Sequence, residues 1–280
     1  MERENKPGRA KALRCSKARG LPQGTRAFDL SHDPPLSELA LSTTVVVPLH
    51  ESERQLAALV PRLAAWRAAL ADPAALEVVM VNDASSDGSW AATQRAVEEH
   101  PWIQGIDLVR KAGQHAALLC GAFEARHEVV ITMDDDLRHP PERVPALVAA
   151  FGEGIDLVYG TPTDRGPIGL RRAGSFAARL ALAARAGAPA AVHSTSFRAF
   201  RASLTRRLSL GGGGAVNIDR VLLAAARGVA LERVDHGDVR AAPSRYDLRA
   251  LLGATGAVLR GGRREATPLF EVRERCGGPS

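Results

Sequence analysis

Aromatic residues are scarce in this chain: Phe, Tyr and Trp together make up 4% of its 280 residues. A core must therefore be built from Ala, Val and Leu, and a hydrophobic fraction of 45% is ample for one. Cysteine is also sparse, with only Cys15, Cys120 and Cys276. An odd, widely spaced trio argues against a disulfide framework and against a Cys-x-x-Cys metal site, and suits a reducing compartment. The basic N-terminus lacks the apolar segment of a secretory signal. No apolar stretch reaches the ~18–20 residues that span a bilayer. The best candidate, Phe176 to Val192, is broken by Arg179, Arg185 and Pro189. These absences lead us to expect a soluble, cytoplasmic protein.

Positive charge is in excess. A formal net charge of +6 and a pI near 9.8 fit an anionic partner such as a phosphate, a membrane surface or a nucleic acid. They equally fit a surface rich in Arg. The length suggests one large domain or two small ones. Residues 1–41 read as a basic, disordered tail, with Arg3, Lys6, Arg9, Lys11, Arg14, Lys17, Arg19 and Arg26 among Pro and Gly and no apolar period. Residues 42–260 read as the folded domain, and 261–280 as a polar, glycine-rich C-terminal tail.

Within the domain, short β-branched runs alternate with helical patterns. "TTVVVP", "LEVVMVN", "WIQGIDLV", the stretch Glu128 to Met133, and "IDLVYG" read as strands. Gly105 weakens the third. Helices are expected over Glu53 to Leu70, Ser89 to Glu99, Gly113 to Ala125 and Pro141 to Phe151. Pro61 marks a kink or a late start in the first. Further on, Leu170 to Ala186 reads as a helix and "STSFRAFR" as a strand entering a helix. Ala215 to Arg227 reads as a helix, Val229 to Val234 as a strand, and Arg245 to Leu259 as an amphipathic helix. The alternation predicts an α/β fold, a Rossmann-like, mostly parallel sheet flanked by helices. Right-handed crossovers bring the strand C-termini to one edge, so the residues after Pro48, after Asn82 and around Asp134 should meet in one crevice.

"VVITMDDDLRHPP" places three aspartates at a strand end. If the backbone stays extended, Asp134 and Asp136 share a side. Clustered carboxylates repel unless a cation or proton intervenes, and Mg2+ or Mn2+ is an economical solution. A helix N-cap ahead of Pro140 and Pro141 is the alternative.

"VVVPLHESE", "EVVMVNDASSDGS" and "VVITMDDDLRHPPE", in that order, resemble the family 2 glycosyltransferases of the GT-A fold. The likeness is to the polyprenyl-phosphate sugar transferase subgroup, which includes dolichyl-phosphate mannose synthase and the undecaprenyl-phosphate aminoarabinose transferase. It runs from about Thr43 to Leu252 and takes in "RKAGQHAALLCGAFEA", "SFRAFR" and "RAAPSRYDLRALL". The resemblance implies a metal-dependent, inverting transfer of a sugar from a nucleotide-diphosphate sugar. The acceptor would be a polyprenyl phosphate or a soluble small molecule. Pro48, His50, Glu51 and Asp83 would line the nucleotide pocket, with Asp83 on the base or ribose. Gln114 would support the donor or cap its helix. Asp134 would face the nucleotide or sugar, and Asp136 would bind the metal at the diphosphate. Arg240, Ser244 and Arg245 would contact phosphate, unless they are solvated residues of the final helix.

Several positions depart from the family's pattern. Asn82 stands where an Asp is frequent. Arg138 stands where many relatives have Gln, so it must turn outward or touch phosphate itself. Ser196 replaces an Asp in "GDFR" and cannot serve as a base. His193 and Asp219 are the nearby candidates, although a phosphate acceptor needs no base. The relatives often end in membrane-spanning helices. The final amphipathic helix here either rests on an anionic membrane face or packs on the sheet. A homodimer is left open.

Two other functions compete. A nucleotidyltransferase predicts a glycine-rich loop after the first strand, and "VPLHESERQ" has no glycine. A non-catalytic nucleotide-sugar or nucleic-acid binding module would accommodate Arg138, Ser196 and the basic tail, although no nucleic-acid partner is expected of the transferase.

Overall fold

The structure, a computed structural model, describes residues 39–162, 194–206, 217–234 and 269–278. The first half alternates β1 (Thr43–Leu49), α1 (Glu53–Ala68), β2 (Leu76–Asn82), α2 (Ser89–Glu99), β3 (Ile103–Leu108), α3 (Gln114–Glu124) and β4 (Val129–Thr132). A 3-10 turn at Pro141–Arg143 leads into α4 (Val144–Ala149). Then come β5 (Leu157–Pro162), β6 (Arg198–Arg201), α5 (Ser203–Arg206), α6 (Ile218–Ala225), β7 (Val229–Val234) and β8 (Val272–Cys276). The expected helices over Leu170 to Ala186 and Arg245 to Leu259, and the glycine run Gly211 to Gly214, lie outside the described residues.

The strands form one eight-stranded sheet in the order β7-β5-β6-β4-β1-β2-β3-β8. Only β6 and β8 run against the others, so the sheet is mostly parallel, as the alternation predicts. The two-residue period of each strand splits the core into two layers. Val45, Val47, Val78, Met80 and Ile131 face one side, with α1 and α4. Val46, Val79, Val81, Ile106 and Val130 face the other, with α3, α5 and α6. Both faces are covered, which is why β1 and β2 read as continuous apolar runs. Pro48 is tolerated in β1 because the β1–β4 ladder ends at Val46 opposite Thr132, so its missing N–H points past the end of β4.

Pro61 neither delays nor ends α1, which runs unbroken from Glu53. Pro61 and Ala57 are both exposed, so the carbonyl that proline leaves without an N–H faces water. Helix α3 is buried from Ala116 through Ala122. It lies so close that a Cβ on Gly121 would sit 2.4 Å from Val46 Cγ1.

The stretch 261–280 is more than a tail. Val272–Cys276 pairs antiparallel with β3 as an edge strand. Gly105, the apparent weak point of β3, is what admits it: a Cβ there would fall 2.6 Å from Cys276 Sγ and 2.8 Å from Thr93 Cγ2.

Candidate active site

The loops after β1, β2, β3 and β4 converge with the start of β6, as the parallel alternation requires. Each of the loops after β1, β2 and β4 holds one non-glycine residue in the left-handed region: Glu51 (φ 56°), Ala84 (φ 50°) and Leu137 (φ 58°). Such backbone persists only where its surroundings over-determine it, and it concentrates at functional sites.

His50 is exposed just after the end of β1. Its Nδ1 lies 3.2 Å from the Asp83 carbonyl oxygen and its Nε2 lies 2.6 Å from Lys111 Nζ. With the hydrogen on Nδ1, the ring donates to the carbonyl and accepts from the ammonium. Glu51 Oε1 accepts from the Ser86 N–H (2.7 Å) and hydroxyl (3.0 Å), and these bonds lower its pKa. Asp83 is buried, and its two oxygens accept the N–H groups of Ala112 (2.6 Å) and Gly113 (2.9 Å). The carboxylate thus ties β2 to the start of α3. Pro48 sits half-buried beside this loop.

Gln114 opens α3, but the cap position is Gly113 and no side chain caps the helix. The Gln114 amide instead donates to Asp134 Oδ1 at 2.9 Å. Asp134 Oδ2 accepts from the Ser196 hydroxyl at 2.6 Å, and Ser196 is fixed in turn by its carbonyl, which accepts from Thr132 Oγ1. Ser196 thus lies against the first aspartate, where sequence reasoning noted only that it cannot be a base. Next to it, His139 stacks on Phe197 with ring centroids 4.9 Å apart.

Burial raises the pKa of Asp134; the Ser196 hydrogen bond opposes this and the Asp136 charge adds to it. Burial likewise raises Asp135, against a hydrogen bond from Ser52 and with the charges of Asp134 and Asp136. The condition of an extended backbone is not met. β4 stops at Thr132 and the chain turns at Asp135 and Asp136. Nor do the acids cap a helix: the cap of the 3-10 turn is Pro140, with no side-chain bond.

Asp136 is gripped by Arg138. The Arg138 N–H donates to Oδ1 (3.1 Å) and its Nε to Oδ2 (2.5 Å), with the guanidinium part-exposed. Among the described residues no group of three or more His, Cys, Asp or Glu forms a metal cage. Two neighbouring carboxylates, one of them part-buried with its pKa raised, nevertheless fit a hard divalent cation that takes its remaining ligands from phosphate.

Asp219, a candidate base, is buried. Its Oδ1 accepts from the Tyr159 hydroxyl (2.8 Å) and from Arg198 (2.5 Å), forming a buried ion pair. Burial raises Tyr159 well above its ordinary range, and the Asp219 charge adds to this. The same burial lowers His115, on which Arg198 also acts. His193, Arg240, Ser244 and Arg245 lie outside the described residues.

The sequence that builds this arrangement, with acids at the end of β4 near loops from three parallel strands, matches a known family. The model for "Glycosyl transferase family 2" matches residues 44–209, and the chain belongs to that family. It is 32% identical over 210 residues to the undecaprenyl-phosphate 4-deoxy-4-formamido-L-arabinose transferase of Pseudomonas aeruginosa (strain LESB58). That match covers 75% of this chain and 61% of the relative, so the chain spans about three fifths of the relative's length. The enzyme of the same name from Aeromonas hydrophila is 39% identical over 116 residues, covering 41% and 35% of the two chains. Among solved structures, mannosyl-3-phosphoglycerate synthase from Rubrobacter xylanophilus superposes with a TM-score of 0.55 at 17% identity, over 79% of this chain and 72% of that one. Glucosyl-3-phosphoglycerate synthase from Mycobacterium tuberculosis, in complex with Mn2+ and UDP-glucose, gives 0.54 at 22%, over 79% and 77%. At such identities the likeness establishes the GT-A fold and nothing finer.

Proposed function

We propose that this chain is a glycosyltransferase that moves a sugar from a nucleotide-diphosphate sugar to the phosphate of a polyprenyl carrier. The observation that carries the reading is Asp134, held by Gln114 and Ser196 at the rim where the loops after β1 and β2 arrive. Family membership and the names of the relatives agree with it.

The loop of His50 and Glu51 would take the nucleoside, with Lys111 beside it. Asp83 would act from beneath by fixing the backbone of Ala112 and Gly113, leaving nucleotide contact to the groups above. Asp134 and Asp136 would hold Mg2+ or Mn2+, which supplies Lewis-acid neutralisation of the departing diphosphate. Arg138 would then swing from Asp136 to phosphate, where a guanidinium bonds well. Arg240, Ser244 and Arg245 are proposed for phosphate contact on the acceptor side.

A phosphate acceptor is already an anion and needs no base, which suits a site with serine at position 196. Asp219 is better placed to anchor Arg198 than to take a proton. Inversion at the sugar would follow from a single in-line displacement by the acceptor phosphate. A carrier lipid implies peripheral membrane contact. Among the described residues no helix is long and apolar enough to cross a membrane.

The test has two arms. A thermal-shift panel of UDP, GDP and TDP with and without Mn2+ should show one diphosphate stabilising the chain, and only with the metal. Transfer of labelled sugar to polyprenyl phosphate in detergent is expected, and transfer only to a soluble hydroxyl acceptor would remove the lipid assignment. Full activity after exhaustive chelation would remove the metal.

A further inference from the structure

The terminal strand β8 is joined to the donor loop by an unbroken line of hydrogen bonds. Arg273, in β8, donates through one terminal nitrogen to Asp107 Oδ2 at 3.1 Å and through the other to the Val109 carbonyl at 2.9 Å. Asp107 is buried at the end of β3, and its Oδ1 accepts the Asn82 amide at 2.7 Å. The Asn82 carbonyl accepts the Ser85 hydroxyl at 2.5 Å. Ser85 Oγ accepts the backbone N–H of Glu51 at 3.1 Å.

Every proton in this line has one consistent position. Arg273 and Asn82 donate to the carboxylate, Ser85 donates to Asn82, and Glu51 donates to Ser85. The line also accounts for Asn82. An Asp there would set two carboxylates 2.7 Å apart with no proton between them, whereas the amide gives Asp107 a donor and Ser85 an acceptor. At the far end stands Glu51, a non-glycine residue at φ 56° that needs its surroundings to hold it. Asp107 itself is 2% exposed, and a polar group so buried costs stability unless it is hydrogen-bonded.

We infer that Arg273 is a positioning residue for the nucleotide pocket: the terminal strand sets the shape of the Glu51 loop through Asp107, Asn82 and Ser85. The inference rests on the donor-site reading above for its consequence, but its structural half is measurable without any ligand. Arg275 lies in the same strand and pairs with Glu124 on α3, off the line, at 2.9 Å, so it provides an internal control for damage to β8.

The experiment is hydrogen exchange by NMR on the full chain, comparing Arg273→Ala, Arg273→Lys and Arg275→Ala, with circular dichroism confirming that each folds. Amide exchange at Glu51 should rise about fivefold or more in Arg273→Ala, the loss of roughly one hydrogen bond's worth of order. Lysine should restore part of the protection, and Arg275→Ala should leave it unchanged. Affinity for the diphosphate that stabilises the wild type should fall in Arg273→Ala by a comparable factor. Equal exchange increases in the Arg273→Ala and Arg275→Ala variants, or none in Arg273→Ala, would overturn the inference. If Glu51 exchange rises as expected while no diphosphate binds even the wild type, the relay stands and the donor-site reading is what fails.

Discussion

The Nε of Arg138 lies 2.5 Å from Asp136 Oδ2, only two residues back along the chain, while the Arg138 backbone N–H holds the other oxygen. The aspartate proposed to share a divalent ion thus already has a cation of its own. The guanidinium is part-exposed, and exposed pairs of this kind hold by ~0–1 kcal/mol. A metal would therefore displace it at small cost. Arg138→Gln should tighten Mn2+ binding by up to about fivefold. Titration calorimetry with Mn2+ alone measures this, and a weaker affinity in the variant would mean that Arg138 assists the metal.

Arg198 and Asp219 form the buried counterpart, with side chains 3% and 8% exposed. Removing one partner leaves a buried charge alone. Asp219→Leu or Arg198→Met should each lose about 3–5 kcal/mol of stability. The double change Arg198→Met with Asp219→Leu should lose much less than the sum. Urea unfolding of the four proteins closes the cycle. Additive losses would show that the two residues act independently.

His115 gives stability a pH dependence. Burial first, then the charge of Arg198, lowers its pKa, with Asp219 acting the other way. In the unfolded chain it titrates at its ordinary value. Between the lowered value and the ordinary one the unfolded chain binds more protons, so stability rises with pH across that window. The contribution is complete above about pH 6.5 and is lost as pH falls from there through the lowered value. His115→Gln should flatten the change in Tm between pH 7.5 and 5.5. An unaltered slope would place the effect elsewhere.

Gly121 should resist replacement. Alanine gains helix propensity of about 1 kcal/mol, but its Cβ would meet Val46 Cγ1 at 2.4 Å in a buried interface, and overpacking costs typically 1–3 kcal/mol. A net destabilisation is expected from Gly121→Ala, and Val46→Ala should relieve part of it. Because α3 begins with Gln114, the single variant should also weaken diphosphate binding.

The strands were readable wherever they are buried on both faces. "TTVVVP" and "LEVVMVN" carry β-branched residues on both faces of the strand, so no alternation is needed to find them. β8 was not readable, because Val272–Cys276 is an edge strand whose middle is Arg, Glu and Arg, and its apolar character is confined to its ends. Its place was marked only by Gly105, which looks like weakness until Cys276 is seen against it. In the site, the aspartates stood out by type and position. Ser52, Ser85 and Lys111 did not, since loop hydroxyls and a lone lysine follow no period. Asp83 was singled out for the base or ribose, but its partners here are the backbone N–H groups of Ala112 and Gly113, which no side-chain pattern announces.

Because β6 enters the sheet where its neighbours leave it, Ser196 reaches the rim from a chain segment of opposite polarity, ahead of its strand. Changes before Phe197 can therefore retune what meets Asp134 without shifting the phase of β6 against β4. The other half of the crevice, built from strands that end there, has no such freedom. One protein scaffold can in this way hold one wall of a crevice constant while the opposite wall is free to vary.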